Sequence, residues 1–161
     1  MKDGKKINPT KLNFKMLNIL NNRIKKDLEK NNQPSLLPKE SLIINFGLLD
    51  KKISLNFLLL RLISQAIENL TPNLEVRKVR IAGSTYLVPS VLSKKKQETL
   101  ALKWLIEAAQ KRQKNSKLNF SVCLAEEILD ASRKLGQARQ KRDELHRLAL
   151  MNRAYIRYRW W

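Results

Sequence analysis

The 161-residue sequence is poor in glycine, cysteine and histidine, with four, one and one of these residues respectively. A single cysteine excludes an internal disulfide framework and favours a reducing compartment. With one histidine and no CxxC, HxxE or glycine-rich phosphate-loop motif, the chain offers no pattern for metal binding or catalysis. The sequence therefore predicts a protein that is not an enzyme and that has no cofactor and no metal.

Long apolar runs are also missing, since none approaches the ~20 residues that a membrane span needs. The first residues, MKDGKK, lack both the apolar stretch of a secretory signal and the amphipathic character of an import presequence. We therefore expect no membrane partner. The abundance of Asn, Lys, Ile and Leu fits AT-rich codons, which favours synthesis inside an organelle or in an AT-rich bacterium.

Acidic residues are scarce relative to basic ones, with 14 against 33 and a formal net charge of +19. The excess is spread over the chain, because each third carries more Lys and Arg than Asp and Glu. Such self-repulsion costs stability unless counter-charges are supplied, and nucleic acid commonly supplies them. The charge predicts a polyanionic partner whose binding weakens steeply with salt.

Residues 75–89, EVRKVRIAGSTYLVP, have strand-forming residues on both sides of a small tip, Ala82-Gly83-Ser84. This pattern predicts a β-hairpin in a chain that otherwise has helical periodicity. Alternation places Arg77 on one face and Lys78 with Arg80 on the other, and neither face is apolar throughout. Because a lone two-stranded ribbon is marginal in water, we expect support from a polyanionic partner.

Helical spacing of apolar residues predicts helices at 11–29, 54–70, 94–113 and 119–135, with a final helix from about Gln137 to the C-terminus. Ser93 is the predicted N-cap of the third helix, and Gly136 is the predicted end of the fourth. The fold class is mostly α: a single bundle of five to six helices with one protruding two-stranded β-ribbon over about 74–89. We expect residues 1–161 to form one domain.

The final helix separates its charged and apolar residues on a helical wheel. At 100° per residue, five cationic or ionisable residues share an arc of about 60°. These are Arg139, Arg142, His146, Arg153 and Arg157. The opposite side carries Leu145, Leu148, Met151 and Tyr155. We therefore expect a buried apolar stripe and an exposed basic stripe that contacts phosphates.

Two other charge clusters are ambiguous. Lys94, Lys95 and Lys96 open a helix, where cations oppose the macrodipole, so either solvent or an external anion satisfies them. Glu126, Glu127 and Asp130 share a helix face without an obvious partner, so they give no support for catalysis.

Three segments in order, EVRKVRIAGSTYLVP, LALKWLIEAAQKR and QKRDELHRLALMNRAYIRYRW, resemble the small-subunit ribosomal protein seven family in an organellar, mitochondrial version. The resemblance covers residues 62–160 and includes MKDGKK at the start. It implies a structural role: binding the 3′ major domain of small-subunit rRNA, nucleating head assembly and lying near the exit-site tRNA and the mRNA exit channel. Plastid or bacterial ribosomes are the alternative locations.

The resemblance also implies partners and site residues. Partners are small-subunit rRNA, other head proteins, and nearby tRNA and mRNA. Tip residues near tRNA or mRNA would be Ala82, Gly83, Ser84 and Tyr86. Residues that would contact rRNA, from the resemblance together with the charge patterns above, are Lys5, Lys6, Arg77, Lys78, Arg80, Lys94, Lys95, Lys96, Arg139, Lys141, Arg142, His146, Arg153 and Arg157.

Three departures from the family pattern carry expectations. In the family a first helix precedes the segment matching MKDGKK. Either this helix is lost or a separate polypeptide supplies it beside residues 1–15, and we expect the second. Residues 31–53 are longer than the usual connection, which favours an organelle-specific contact. Ala82 stands where glycine is common, so a positive φ there would cost about 1 kcal/mol.

Two alternatives stay open. An architectural DNA-binding protein could use the β-ribbon as an arm, although Ala82-Gly83-Ser84 offers no apolar wedge for a minor groove. A membrane-surface protein could use the final helix, with Trp160 and Trp161 as its anchor.

Overall fold

The computed structural model describes residues 7–30 and 51–161. Helix α1 spans Ile7–Lys30 and α2 spans Lys51–Leu70. Strands β1 (Leu74–Ile81) and β2 (Ser84–Val91) follow, and then come α3 (Lys94–Ser116), α4 (Phe120–Ser132) and α5 (Gln137–Met151). A 3-10 helix, Arg153–Tyr158, completes the described elements. The predicted fold class is confirmed. The predicted contacts of Lys5 and Lys6 and most of the long connection at 31–53 lie outside the described residues.

One apolar core joins the helices. It is built where the stripes of α1, α2, α3 and α4 meet, and Leu20, Leu62 and Leu70 are fully buried in it. Small residues on α3 and α4 allow these helices to approach closely, and Cys123 is buried between its neighbours as a small apolar side chain. Within residues 7–30 and 51–161, no helix is both long enough and apolar enough to cross a membrane.

The two strands form an antiparallel ribbon whose register runs from Leu74 opposite Val91 to Ile81 opposite Ser84. The turn therefore contains two residues, Ala82 and Gly83, with φ of +48° and +84°. Positive φ at both positions is the requirement of a type I′ turn, which matches the twist of the strands. Ser84 belongs to β2, so the expected three-residue tip is wrong by one residue. Ala82 therefore does take the positive φ on which its expected cost depends.

The ribbon packs against other elements of the chain. Val88 and Ser90 are buried at its base, and α5 packs against β1. Farther out, the 3-10 helix packs against β2. Support from an external partner was expected because an isolated ribbon is marginal, and the described contacts show that the chain itself supplies much of this support.

Helices α1, α2 and α3 extend beyond their predicted bounds of 11–29, 54–70 and 94–113, and the predicted ends of α4 and of the final helix are wrong. Helix α4 ends at Ser132, and Lys134, with φ of +62°, takes the left-handed position expected for Gly136. Gly136 instead precedes α5 as its N-cap residue. Helix α5 ends at Met151 and does not continue to the C-terminus, because the backbone tightens into the 3-10 helix after Asn152.

Candidate nucleic-acid interface

Helix α5 is turned the opposite way from the prediction. Its basic stripe faces the body, and Arg139 and Arg142 donate to the main-chain oxygen of Asn69 at 2.6 and 2.7 Å. Asn69 lies in the last turn of α2, whose unsatisfied carbonyls and negative dipole end attract cations. Of the apolar stripe, Leu148 and Met151 are exposed, whereas Leu145 and Tyr155 are partly buried. The expected buried apolar stripe is therefore wrong.

Asn69 joins three helices at this point. Its side-chain amide donates to the carbonyls of Ala131 and Ser132 at the end of α4, both at 3.0 Å. Its own carbonyl receives the two arginines of α5. The amide and the guanidinium groups thus satisfy carbonyls that helix ends leave without partners. Sequence reasoning missed Asn69, because periodicity marks only apolar positions.

Cations of α5 also form ion pairs with carboxylates of the chain. Arg139 pairs with Asp143 at 3.1 Å, and Lys141 donates to Glu107 of α3 at 2.6 Å. The hydrogen bond from Lys141 lowers the pKa of Glu107. Arg139 and Asp143 both belong to α5, so the Lys141–Glu107 pair and the hydrogen bonds to Asn69 are the contacts that fix α5 on the body. Contact of Arg139, Lys141 and Arg142 with rRNA therefore stays a prediction that competes with a structural role.

His146 is partly buried beside this group, and its Nε2 atom has no hydrogen-bond partner among the described residues. Burial, and then repulsion from Arg142, lowers the pKa of His146. The neutral imidazole is therefore favoured at neutral pH. A neutral, half-hidden imidazole is a weaker phosphate ligand than the exposed lysines of the chain.

Arg153 and Arg157 leave the predicted arc, because they lie on the 3-10 helix beyond the end of α5. Both are exposed, and among the described residues neither has a carboxylate within 4.0 Å. The Nε atom of Arg157 donates locally to the Ala154 carbonyl at 3.3 Å. The wheel prediction fails for these two arginines, although their side chains are accessible.

The acidic cluster of α4 has a partner that the sequence analysis missed. Arg112 of α3 reaches Glu127 at 2.8 Å, Asp130 at 2.5 Å and Glu126 at 3.2 Å. Burial raises the pKa of the Glu127 carboxyl, against the opposing effect of Arg112. Burial alone would lower the pKa of Arg112, but the three carboxylates raise it overall. The expectation that these acids lack a partner is wrong, because the pairing residues belong to different helices.

The ribbon carries accessible cations. Lys78 and Arg80 are exposed, and no carboxylate among the described residues lies within 4.0 Å of either. Arg77 is paired with Glu75, and its guanidinium carbon also lies 5.4 Å from the ring centroid of Trp161. The predicted ribbon cations are therefore together on one element, with two of the three free of internal ion pairs.

Lys94, Lys95 and Lys96 are all exposed at the start of α3, which has no acidic residue in its first turn. Ser93 is the N-cap residue, but its side chain makes no capping hydrogen bond. Lys94 also lines a cleft of about 630 Å³ together with Arg142. Three uncompensated cations at the positive end of a helix dipole suit an external anion.

The four residues predicted to lie near tRNA or mRNA differ in their exposure. Ala82, Gly83 and Ser84 are exposed, whereas Tyr86 is partly buried. The Tyr86 ring lies 5.2 Å from Tyr155 and 5.1 Å from Tyr158, measured between centroids. This tyrosine cluster, Tyr86 with Tyr155 and Tyr158, holds the 3-10 helix against β2. Tyr86 therefore has a structural role beside its predicted place near tRNA or mRNA.

The fold and these surfaces define a basic, mostly helical protein with a ribbon arm whose free cations suit a polyanion. A family model described as Ribosomal protein S7p/S5e matches residues 1–153. The chain therefore belongs to the ribosomal protein S7 family, and the predicted resemblance is confirmed.

Individual relatives agree with this assignment. The chain is 59% identical over 102 residues to the small ribosomal subunit protein uS7m of Prototheca wickerhamii, a match to 63% of this chain and 46% of that protein. It is 44% identical over 102 residues to uS7m of Arabidopsis thaliana, covering 63% and 69% respectively. It is 46% identical over 95 residues to uS7 of Mycoplasmopsis agalactiae, covering 59% of each. The chain thus spans about half the length of the Prototheca relative.

Proposed function

We propose that the chain is a structural component of the small subunit of the mitochondrial ribosome. Its family and the names of its relatives support this role. The single observation that carries RNA binding is the set of exposed, ion-pair-free cations on the ribbon, the start of α3 and the 3-10 helix. Residues 1–161 would act as one domain that binds the 3′ major domain of the rRNA and helps nucleate the head.

The mechanism is scaffolding by charge neutralisation. Each cation that meets a phosphate releases condensed counterions, which drives association without sequence specificity. Specificity arises from shape, because side chains cannot enter the deep major groove of A-form RNA, whereas a ribbon can follow a junction. Lys78, Arg80 and the Lys94–Lys96 cluster are the leading candidates for phosphate contacts, and the α5 cations chiefly hold α5 in place.

The proposed position of the ribbon tip within the small subunit follows from the family resemblance. Ala82, Gly83 and Ser84 would lie near the exit-site tRNA and the mRNA exit channel. A Ser84→Cys variant carrying a crosslinker tests this placement in assembled subunits, because the natural Cys123 is fully buried. A crosslink to tRNA or mRNA supports it, and crosslinks to rRNA alone oppose it. Neighbouring head proteins, a separate chain beside residues 1–15 and contacts by residues 31–53 stay predictions.

A salt-series competition assay tests the rRNA role. It compares an rRNA fragment from the 3′ major domain junction with duplex DNA of equal charge. Lys78→Ala with Arg80→Ala is the test variant, and Lys25→Ala with Lys26→Ala, which removes two exposed cations from α1, is the matched control.

We expect the chain to bind the rRNA junction fragment more tightly than the duplex DNA at every salt concentration. The salt slope of the ribbon variant should fall by ~0.7–0.9 for each phosphate that the variant no longer neutralises. The control should change less. Equal binding of junction and duplex would contradict the proposal and favour the architectural DNA-binding alternative. An equal decrease of the slope in the two variants would contradict the role of the ribbon.

A further inference from the structure

A groove lies between the outer part of β1 and the C-terminal tryptophans. Its volume is about 360 Å³, which is within the range of sites that hold small ligands. One wall is basic and the other is aromatic. The lining residues are Arg77, Lys78, Val79, Arg80, Trp160 and Trp161.

The two tryptophans of the groove differ in their surroundings. Trp161 is covered by the Arg77 guanidinium and meets the Trp160 ring edge to face, with centroids 5.7 Å apart. Trp160 remains 82% exposed, whereas Trp161 is 36% exposed. An indole with so much free surface is costly to leave in water and is a common stacking surface for a ligand.

The groove is preformed by contacts on either side. Glu75 accepts hydrogen bonds from Arg77 and, at 3.2 Å, from Ser90, so Arg77 is held over Trp161. Along the chain, the tyrosine cluster fixes the 3-10 helix that immediately precedes the tryptophans. Arg77 and the 3-10 helix are therefore already held in place before a ligand arrives, which lowers the entropy lost on binding.

We infer that this groove is a binding site for an unpaired nucleotide of single-stranded RNA. Its base stacks on Trp160, and its flanking phosphates meet Lys78 and Arg80. The inference deepens the proposed function and rests on it in taking the polyanion to be RNA. Duplex RNA fits less well, because its bases are already stacked, whereas a loop or bulge presents a free base face.

Intrinsic fluorescence of the full chain tests the site. Trp104→Phe and Trp161→Phe together leave Trp160 as the only indole. This protein is titrated with a single-stranded oligoribonucleotide, with an RNA duplex of equal charge and with polyphosphate. Stacking predicts quenching by the single strand and much weaker quenching by the duplex and by polyphosphate.

Affinity measurements on otherwise natural protein complete the test. Trp160→Ala should weaken single-strand binding by about fivefold to a hundredfold, the range for removing one base stack, and Trp160→Phe should retain most of it. Met151→Ala is the matched control, because Met151 is also largely exposed but does not line the groove. Circular dichroism verifies that each variant is folded.

The outcomes separate this inference from the proposed function. Equal quenching by polyphosphate, or equal affinities of Trp160→Ala and Met151→Ala, would overturn the nucleotide site while leaving preference for the rRNA junction intact. Loss of junction preference, with Trp160-dependent binding of the single strand retained, would instead refute the rRNA role.

Discussion

The Arg112 cluster makes a quantitative stability prediction. Arg112→Met removes the cation shared by Glu126, Glu127 and Asp130, and it leaves the fully buried Glu127 carboxylate without a counter-charge. Removing one partner of a buried ion pair costs about 3–5 kcal/mol. The other two carboxylates, each 31% exposed, contribute less because solvent screens them. Total stabilities are about 5–15 kcal/mol, so this decrease is a large fraction.

Thermal unfolding of the RNA-free protein, followed by circular dichroism, measures the effect. At about 2–4 °C per kcal/mol for a chain of this size, Tm should fall by about 6–20 °C. Lys111→Met, an exposed neighbour on α3, should stay within about 0.5 kcal/mol of the natural protein. Adding Glu127→Gln to Arg112→Met should restore much of the stability. Equal Tm values for the two single variants would refute the reasoning.

Three further variants test two backbone positions with positive φ and the titration of His146. Ala82→Gly should raise the unfolding free energy by about 0.5–1 kcal/mol in chemical denaturation, because a Cβ is disfavoured at φ of +48°. Gly136→Ala should lower it by about 2–4 kcal/mol, because a Cβ at φ of +91° would lie 3.1 Å from Asp130 Cβ and 3.2 Å from Glu127 Oε2. His146→Gln should flatten the pH profile of stability. Burial, and then Arg142, lowers the folded-state pKa of His146, so stability falls as pH drops through about 6.5 and levels off below the folded value.

Each of these variants has an outcome that would count against its reasoning. An Ala82→Gly protein no more stable than the natural one would show that the turn does not hold Ala82 in the left-handed region. Natural stability in Gly136→Ala would show that the loop accommodates a Cβ. An unchanged pH profile in His146→Gln would assign the titration to another group.

Local sequence patterns were sufficient to predict most of the helices and the two strands. The ribbon followed from strand formers around a small turn, and helix α2 ends at Leu70 as expected, directly before Thr71-Pro72. Such features depend on neighbouring residues, so a single sequence contains them. The left-handed residue after α4 was harder to place, because Lys134 tolerates a conformation usually given to glycine.

The errors in the candidate interface have a common cause. A helical wheel gives the angle between residues of one helix, but it does not say which side meets the body. The carbonyl of Asn69 draws Arg139 and Arg142 inward, and the wheel contains no information about that acceptor. Arg112 and its carboxylates, and the groove beside Trp160, likewise depend on contacts between distant segments.

The distribution of ion pairs explains how a chain of charge +19 can fold and still leave cations for a ligand. Among the described residues, the carboxylates in ion pairs lie on α3, α4 and α5, except for Glu75 at the ribbon base. Acidic groups are therefore paired mainly within the helical body, and the pairing matters most at the fully buried Glu127, because burial makes an unpaired charge costly. The outer ribbon is held instead by uncharged contacts of Tyr86 with the 3-10 helix. Because aromatic packing secures this segment, Lys78 and Arg80 need no internal counter-ion and remain available for phosphate.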